Sequence, residues 1–413
     1  MSVTCLGCGC ACDDLEVQVR NGRIESLSPP CPLAQAWFGT GKVSDRVLVG
    51  GQPAGAEAAV AAGAELLSGA SRVLVVLAPD LTSQAQRAAV ALADLLHATV
   101  DSATSPTAAE GILAAQRRGR AAATLGELRN RADVLLFWAV DPAARYPRYL
   151  ERYAVEPVGT HVPEGRRGRT LISVSVGKDR GPPAADIELA LEPDEELAAL
   201  SVVRATVLGN ALADLPGRLR QAAEIGGRLL GARYAAVIHD GEPGVESRDP
   251  LRTDGLLALG QALNNSTRGA LSTLRAGGNR SGAEAVLTWQ TGYPFAVDLS
   301  GGAPRYQPAR RGLDRGGDAF DAVLMAGSAS ELPRAAKATL AGVPAVVVGP
   351  RASESRLDLR VAIDTGVAGI HEAGTGYRMD EVPLPLIPPL PGRRGAAETL
   401  EALLRATRER RKA

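Results

Sequence analysis

The residues with the clearest chemical potential are five cysteines, Cys5, Cys8, Cys10, Cys12 and Cys31, all at the N-terminal end, with no cysteine after them. Four follow the spacing Cys5-x2-Cys8-x3-Cys12-x18-Cys31, and Cys10 is an extra thiol inside it. Three thiolates on a tight turn plus one remote thiolate can wrap a [4Fe–4S] cubane, which takes four Cys ligands. Gly7 and Gly9 let the backbone fold close to the sulfurs, and Pro30 and Pro32 stiffen the remote ligand between them. A structural zinc ion takes the same four thiolates in a tetrahedron, but its usual pattern is two CxxC knuckles and the second is missing here. A metal-free remnant is the third reading. An odd number of cysteines with no leader sequence argues against a disulfide framework and for a reducing compartment.

Composition narrows the partners. Lys plus Arg and Asp plus Glu number 46 each, so the formal net charge is zero, and only 3% of residues are aromatic. Such a chain is a poor nucleic-acid binder by bulk electrostatics. No apolar run reaches the ~18 residues that span a bilayer. The expectation is a cytoplasmic protein with neither nucleic-acid nor membrane partners.

The elements that must position the cysteines can be read from periodicity. Val17 and Val19 alternate with polar residues ahead of Asn21-Gly22, a hairpin turn signal. Helical patterns over Ala56–Leu67 and Ser83–Leu96 flank the apolar run Val73–Leu77, and Val134–Val140 is a second such run. Ala235–Ile238, Ala322–Ala326 and Ala345–Val348 repeat the theme, with helical stretches at Thr253–Leu263 and Pro333–Leu340. Strands apolar on both faces and separated by helices imply a parallel sheet covered on both sides. Asp133–Pro142 with Thr170–Val176, and Asp321–Leu332 with Val343–Gly349, form a weak internal pair. The expected fold is α/β: two doubly wound parallel-sheet lobes behind a small N-terminal Cys-rich β unit. The expected division is 1–45 for the Cys-rich unit, 46–190 and 191–393 for the lobes, and 394–413 for a C-terminal helix. Glu242–Asp249 and Pro304–Gly317 read as loops, and the five prolines of Pro383–Pro391 exclude regular structure there.

The cysteine spacing, with Asp13-Asp14 behind it, resembles the N-terminus of the B subunit of formylmethanofuran dehydrogenase, a molybdopterin-oxidoreductase relative. Three longer strings share the resemblance: Thr124–Asp133 followed by Phe137-Trp138, then Thr288–Asp298, then Gly374–Asp380. The resemblance implies a molybdopterin-oxidoreductase-like fold and, in archaeal members, a tungsten or molybdenum bis-pterin that reduces carbon dioxide to formate. In the dehydrogenases a loop after the second strand carries an adjacent Cys-His pair whose Cys ligates the metal. Here that stretch is Asp101–Glu110, and the best register puts Thr107 and Ala108 under the pair. A soft metal centre wants a thiolate, which a Thr hydroxyl replaces poorly. Ser300–Ala303 also stands where the resemblance implies an arginine. The catalytic positions are therefore degenerate, and no Mo/W-pterin is expected.

Other candidates carry weaker signals. Gly277, Gly278, Asn279 and Arg280 form a Gly-rich turn that could offer N–H groups to a pterin or phosphate, as well as being an ordinary turn. His161, His239 and His371 lie far apart and read as surface or core histidines. Asp13-Asp14 either tunes a cluster or begins the hairpin. Arg117-Arg118 and Arg166-Arg167 could meet an acidic cofactor tail or be solvated faces. Trp289, Tyr293 and Phe295 could line a cofactor, anchor an interface or fill the core.

Three functions follow from the resemblance. The first is the B subunit of a formyltransferase/hydrolase complex with A, C and D subunits, in tetrahydromethanopterin- and methanofuran-linked C1 metabolism that oxidises formaldehyde to formate. That chain would be a scaffold without its own catalytic metal, and would meet a methanofuran-type carrier. The second is a catalytically active member of formylmethanofuran dehydrogenase that binds molybdopterin. The third is an iron–sulfur electron-transfer component.

Overall fold

The computed structural model describes residues 1–242, 251–310, 312–314 and 319–412, which form two units. Unit one joins Met1–Pro106 to Gly277–Ala413, and unit two is the intervening Thr107–Ala276.

Unit one is built on a nine-stranded sheet whose centre is parallel. Thr99–Ser102, Val73–Leu77, Ala322–Ala326, Pro344–Gly349 and Asp358–Asp364 lie side by side in that order. Short antiparallel strands close both edges, Val297–Asp298 and Arg305–Tyr306 on one side, Val47–Val49 and Gln52–Pro53 on the other. Period-two alternation sends Val73, Val75 and Leu77 to one face and Leu74 and Val76 to the other, and both sets are buried. The first face is covered by the helices Ala56–Gly69, Ser83–Leu96, Arg280–Thr291 and Ala396–Arg410. The second is covered by a smaller layer that includes Leu332, Ala336 and Leu340. Ahead of the sheet, Ser2–Val3, Leu15–Arg20 and Arg23–Ser28 pair antiparallel, and the turn residues Asn21 and Gly22 have φ of 49° and 68°, as a tight hairpin requires.

Unit two holds a five-stranded, wholly parallel sheet. Its order is Ile187–Leu191, Thr170–Val176, Val134–Trp138, Ala235–Asp240, Gly269–Leu274. The helices Glu196–Val207, Gly217–Leu230 and Leu251–Leu263 contribute to the same core. Trp138 is fully buried and donates its Nε1–H to Glu196 Oε1 at 2.8 Å. The same carboxylate receives the buried Arg252, whose Nη2 lies 3.0 Å from Oε2, while Arg252 Nη1 reaches Asp179 at 3.1 Å.

The runs read as strands and the helices Ser83–Leu96 and Ala396–Arg410 are found where periodicity puts them. The division of the chain differs. The expected boundary at residue 190 falls inside unit two, and the nine-stranded sheet takes strands from both 47–102 and 297–364. An inserted unit leaves no mark in hydrophobic periodicity, which reports an element's period and not its neighbour. Residues 1–45 and the helix Ala396–Arg410 cluster with unit one. The proline tail is also corrected: Pro383–Leu386 is a strand paired with Gly374–Tyr377. Pro383 and Pro385 alternate with Leu384 and Leu386, so the ladder can use N–H groups that the leucines still carry. The loop read at Glu242–Asp249 lies beyond residue 242 outside the described residues, as do residues 311 and 315–317 of the loop read at Pro304–Gly317. Among the described residues no helix is long and apolar enough to cross a membrane.

Replacing Glu196 with Ala leaves the Trp138 N–H unpaired and the buried Arg252 with Asp179 alone, and such a broken buried pair costs about 3–5 kcal/mol. Chemical denaturation of E196A is expected to show a loss of that order; a loss below about 1 kcal/mol would contradict the role assigned to the network.

Candidate functional site

The cysteine segment has too little side-chain bulk to make a core of its own, and other parts of unit one hold it by the backbone. Gly278 N donates to Leu6 O at 2.8 Å, and Met379 N donates to Gly9 O at 2.9 Å. Within the segment, Cys5 N donates to Cys12 O at 2.9 Å and Ala11 N to Cys8 O at 3.1 Å, closing the loop that turns the thiols toward one another. Two glycines permit the approach. A Cβ on Gly277 would stand 2.6 Å from Gly7 O, and one on Gly7 would stand 2.6 Å from Leu33 O, just past Cys31.

This folding places Cys8, Cys12 and Cys31 close enough to Cys5 for their charges to be felt there. Burial pushes the Cys5 thiol well above its usual range, and repulsion from the Cys8, Cys12 and Cys31 thiols adds to it, while the Gly7 N–H works in the other direction. That N–H donates to Cys5 Sγ at 3.3 Å. Cys8 is half-buried, and Cys5, Cys10, Cys12 and Cys31 are buried. Cys31 also begins the helix Pro32–Phe38, so the remote ligand sits at the end of a rigid element. Among the described residues no group of three or more His, Cys, Asp or Glu side chains stands so as to hold a metal ion.

The Gly-rich turn is explained by packing. Gly278 has a φ of +87°, and a Cβ there would stand 2.7 Å from Pro79 Cβ. Asn279 is fully buried and bonded all round. Its Nδ2 donates to Leu81 O at 3.0 Å and Ser83 Oγ at 3.1 Å, and its Oδ1 accepts from Tyr377 N at 2.7 Å. Arg280 turns back to Gly277 O at 2.7 Å. The turn therefore joins the end of the strand Val73–Leu77, the cysteine loop and the string Gly374–Asp380. The other strings are structural as well: Thr124 caps the helix Leu125–Arg131, and Phe295 is buried edge-on to Tyr306 at 5.4 Å between centroids. Trp289, by contrast, is 58% exposed.

The stretch expected to carry catalytic chemistry is occupied by its own hydrogen bonds. Asp101 is fully buried and accepts from Ser102 N at 2.8 Å, Ala296 N at 3.3 Å and Leu313 N at 3.4 Å. Ser102 Oγ and Thr104 Oγ1 are 2.9 Å apart. Thr107 and Ala108 lie in the first turns of the helix Ser105–Arg118, with Ala108 buried. These oxygens are hard donors already engaged, no thiol is among them, and they do not fit a soft tungsten or molybdenum centre. His239 is buried beside Thr273 Oγ1 at 3.1 Å, and His371 bridges Val367 N and Gly41 O; burial holds the His371 imidazole below its usual range. His161 is exposed. Arg117 and Arg118 both pair with Asp254, and Arg166 pairs with Asp186, so three of the four are ion-paired. Asp13 and Asp14 are exposed at the start of the hairpin.

The sequence reading missed Asp80. In unit one the chain runs outward in opposite directions from Val73–Leu77 and Ala322–Ala326, and the crevice at the carboxyl ends of two such strands is where doubly wound sheets bind ligands. Asp80 lies there, with both carboxylate oxygens 3.1 Å from Ser328 N. Burial pushes its pKa up to about 7, and the charge of Glu331 adds to the shift. Next to it, a cavity of about 400 Å³ is lined by Ser328, Ser330, Lys337, Arg351, Glu354 and Arg356. The only signal in the sequence was Asp80 itself, three residues past the strand Val73–Leu77.

No family model matches the chain. The B subunit of the tungsten-containing formylmethanofuran dehydrogenase 2 of Methanocaldococcus jannaschii is 30% identical over 430 aligned positions, covering 99% of this chain and 98% of that protein. Its namesake from Methanococcus maripaludis is 30% identical, covering 93% and 92%. The B subunit of the formyltransferase/hydrolase complex Fhc of Methylorubrum extorquens is 28% identical, covering 63% and 67%. A chain in the crystal structure of the FhcABCD complex of Methylorubrum extorquens with methylofuran superposes with a TM-score of 0.74 at 24% identity, covering 89% of this chain and all of that one.

Two outcomes are expected. Asn279→Ala removes several bonds from a buried hub, each worth about 1–3 kcal/mol when its partner is left unsatisfied, so urea unfolding should show a loss above about 2 kcal/mol; an effect within about 0.5 kcal/mol would contradict the hub. Asp80, raised from the usual 3.8 to about 7, holds its proton more tightly folded than unfolded. Its contribution is present in full below about pH 4 and is lost as the pH rises through about 7. Stability should fall between about pH 4 and about pH 7, and Asp80→Asn should flatten that fall; an unchanged slope in the variant would contradict this.

Proposed function

The chain belongs to the family of formylmethanofuran dehydrogenase B subunits, and from that premise we propose that it is the B subunit of a formyltransferase/hydrolase complex in C1 metabolism, a scaffold without its own tungsten or molybdenum chemistry. The observation that carries the reading is the stretch Asp101–Glu110. It offers no thiol, its buried carboxylate is tied to three backbone N–H groups, and Ala108 is packed inside. Asp80 is likewise occupied with Ser328 N. The partners are A, C and D subunits, and a methanofuran-type carrier meets the assembly. The setting is the cytoplasm, where thiols stay reduced.

The four thiols fit an iron–sulfur cluster. Cys5, Cys8, Cys12 and Cys31 are the donor set a [4Fe–4S] centre takes, and the Gly7 N–H at Cys5 Sγ suits a thiolate that bears charge. When bound, the cluster supplies a covalent tie and a one-electron site. The chain's own residues place it: Gly7 and Gly277 allow close approach, Gly278 N and Met379 N hold the loop, and the helix after Cys31 fixes the last ligand.

One observation favours a second reading, a chain that still binds a pterin dinucleotide. The cavity beside Ser328 has three cations at the carboxyl ends of parallel strands, a setting suited to phosphate groups.

In the purified complex, formate release from the formylated carrier is expected to proceed at full rate without any electron acceptor. A rate that depends on added redox dye would contradict the scaffold reading and favour the second.

A further inference from the structure

Trp37 lies on the helix Pro32–Phe38, and its Cβ is 3.2 Å from where a side chain on Gly7 would begin. Its ring packs against an apolar cluster that includes Leu6 and Ala11, both within the cysteine loop. The indole Nε1 is buried, yet it has no hydrogen-bond partner among the described residues. An indole N–H is a donor only, and leaving it unpaired in the interior costs about 1–3 kcal/mol. The two other tryptophans have no such problem: Trp138 bonds to Glu196, and Trp289 is exposed.

Four carbonyls of the loop already accept backbone N–H groups. Leu6 O receives Gly278 N, Cys8 O receives Ala11 N, Gly9 O receives Met379 N, and Cys12 O receives Cys5 N. What lies around the loop in excess is sulfur: Cys5, Cys8, Cys10 and Cys12 within it, and Cys31 at the start of the helix that carries Trp37. A dry N–H donor beside a site that gathers negative sulfur is matched when that sulfur is loaded.

We propose that Trp37 is a positioning residue for the cluster, with its indole N–H donating to a sulfur of the four-cysteine iron–sulfur centre. The inference rests on the iron–sulfur reading of the four thiols given above. An N–H···S bond draws charge off the sulfur and favours the more negative, reduced state, so it raises the reduction potential. The Gly7 N–H at Cys5 Sγ acts in the same sense from the backbone.

The test uses the full chain purified anaerobically with its partner subunits. Trp37→Phe keeps the aromatic packing and removes the donor. It is expected to keep its iron and brown colour while its midpoint potential, titrated with dithionite, shifts to a more negative value. An unchanged potential in a variant with full iron overturns the proposal. A measurement on the unaltered protein guards against a variant that fails to fold. With indole-15N tryptophan incorporated, the reduced cluster should show a 15N hyperfine coupling, because the other two indoles are bonded elsewhere or exposed; no coupling overturns the proposal. If the unaltered complex holds zinc or no metal, the iron–sulfur reading itself fails, and this inference with it. That result is distinct from iron present with Trp37 uncoupled.

Discussion

The site depends on a loop that cannot fold by itself. Leu6 to Cys12 contributes two backbone carbonyls to the rest of unit one, one to Gly278 and one to Met379. Gly278 packs against Pro79 just past Val73–Leu77, Met379 follows the strand Gly374–Tyr377, and the approach is possible because Gly277 has no Cβ to strike Gly7. Asn279 then fixes the turn to Leu81, Ser83 and Tyr377. Loop, turn and strand pair are one hydrogen-bonded assembly, and any metal bound by the thiols inherits its geometry from that assembly. The protein's rigidity is placed behind the sulfurs.

Buried polar groups elsewhere are likewise engaged with one another. Asp101 and Ser102 spend their oxygens on neighbouring N–H and hydroxyl groups, and Asp80 spends both of its own on Ser328. In unit two the carboxyl ends of Val134–Trp138 and Ala235–Asp240 are crossed by ion pairs of Arg145 with Asp240 and Arg275 with Glu242. The cation-lined cavity beside Ser328 stays open.

Much of this was legible from the residues. Apolar runs such as Val73–Leu77 announced buried parallel strands, and Asn21-Gly22 announced the hairpin. The strands Thr99–Ser102 and Gly269–Leu274 were hidden, because each mixes small and polar residues and is buried only by its neighbours. The insertion of unit two was hidden for a related reason: Val134–Trp138 and Val73–Leu77 look alike and sit in different sheets. Gly277–Arg280 read as a ligand turn because a left-handed glycine is needed equally for binding an anion and for passing close to Pro79. Only the fold shows which neighbour is present. Trp37 gave no signal, since an unpaired donor exists only once its surroundings are assembled.

The central claim is that this chain holds sulfur-bound iron and no catalytic metal of its own. Elemental analysis of the anaerobically purified complex tests it most directly. The account predicts about four iron atoms with matching acid-labile sulfide per chain, and tungsten and molybdenum at background. Stoichiometric tungsten or molybdenum, or zinc in place of iron, would contradict it.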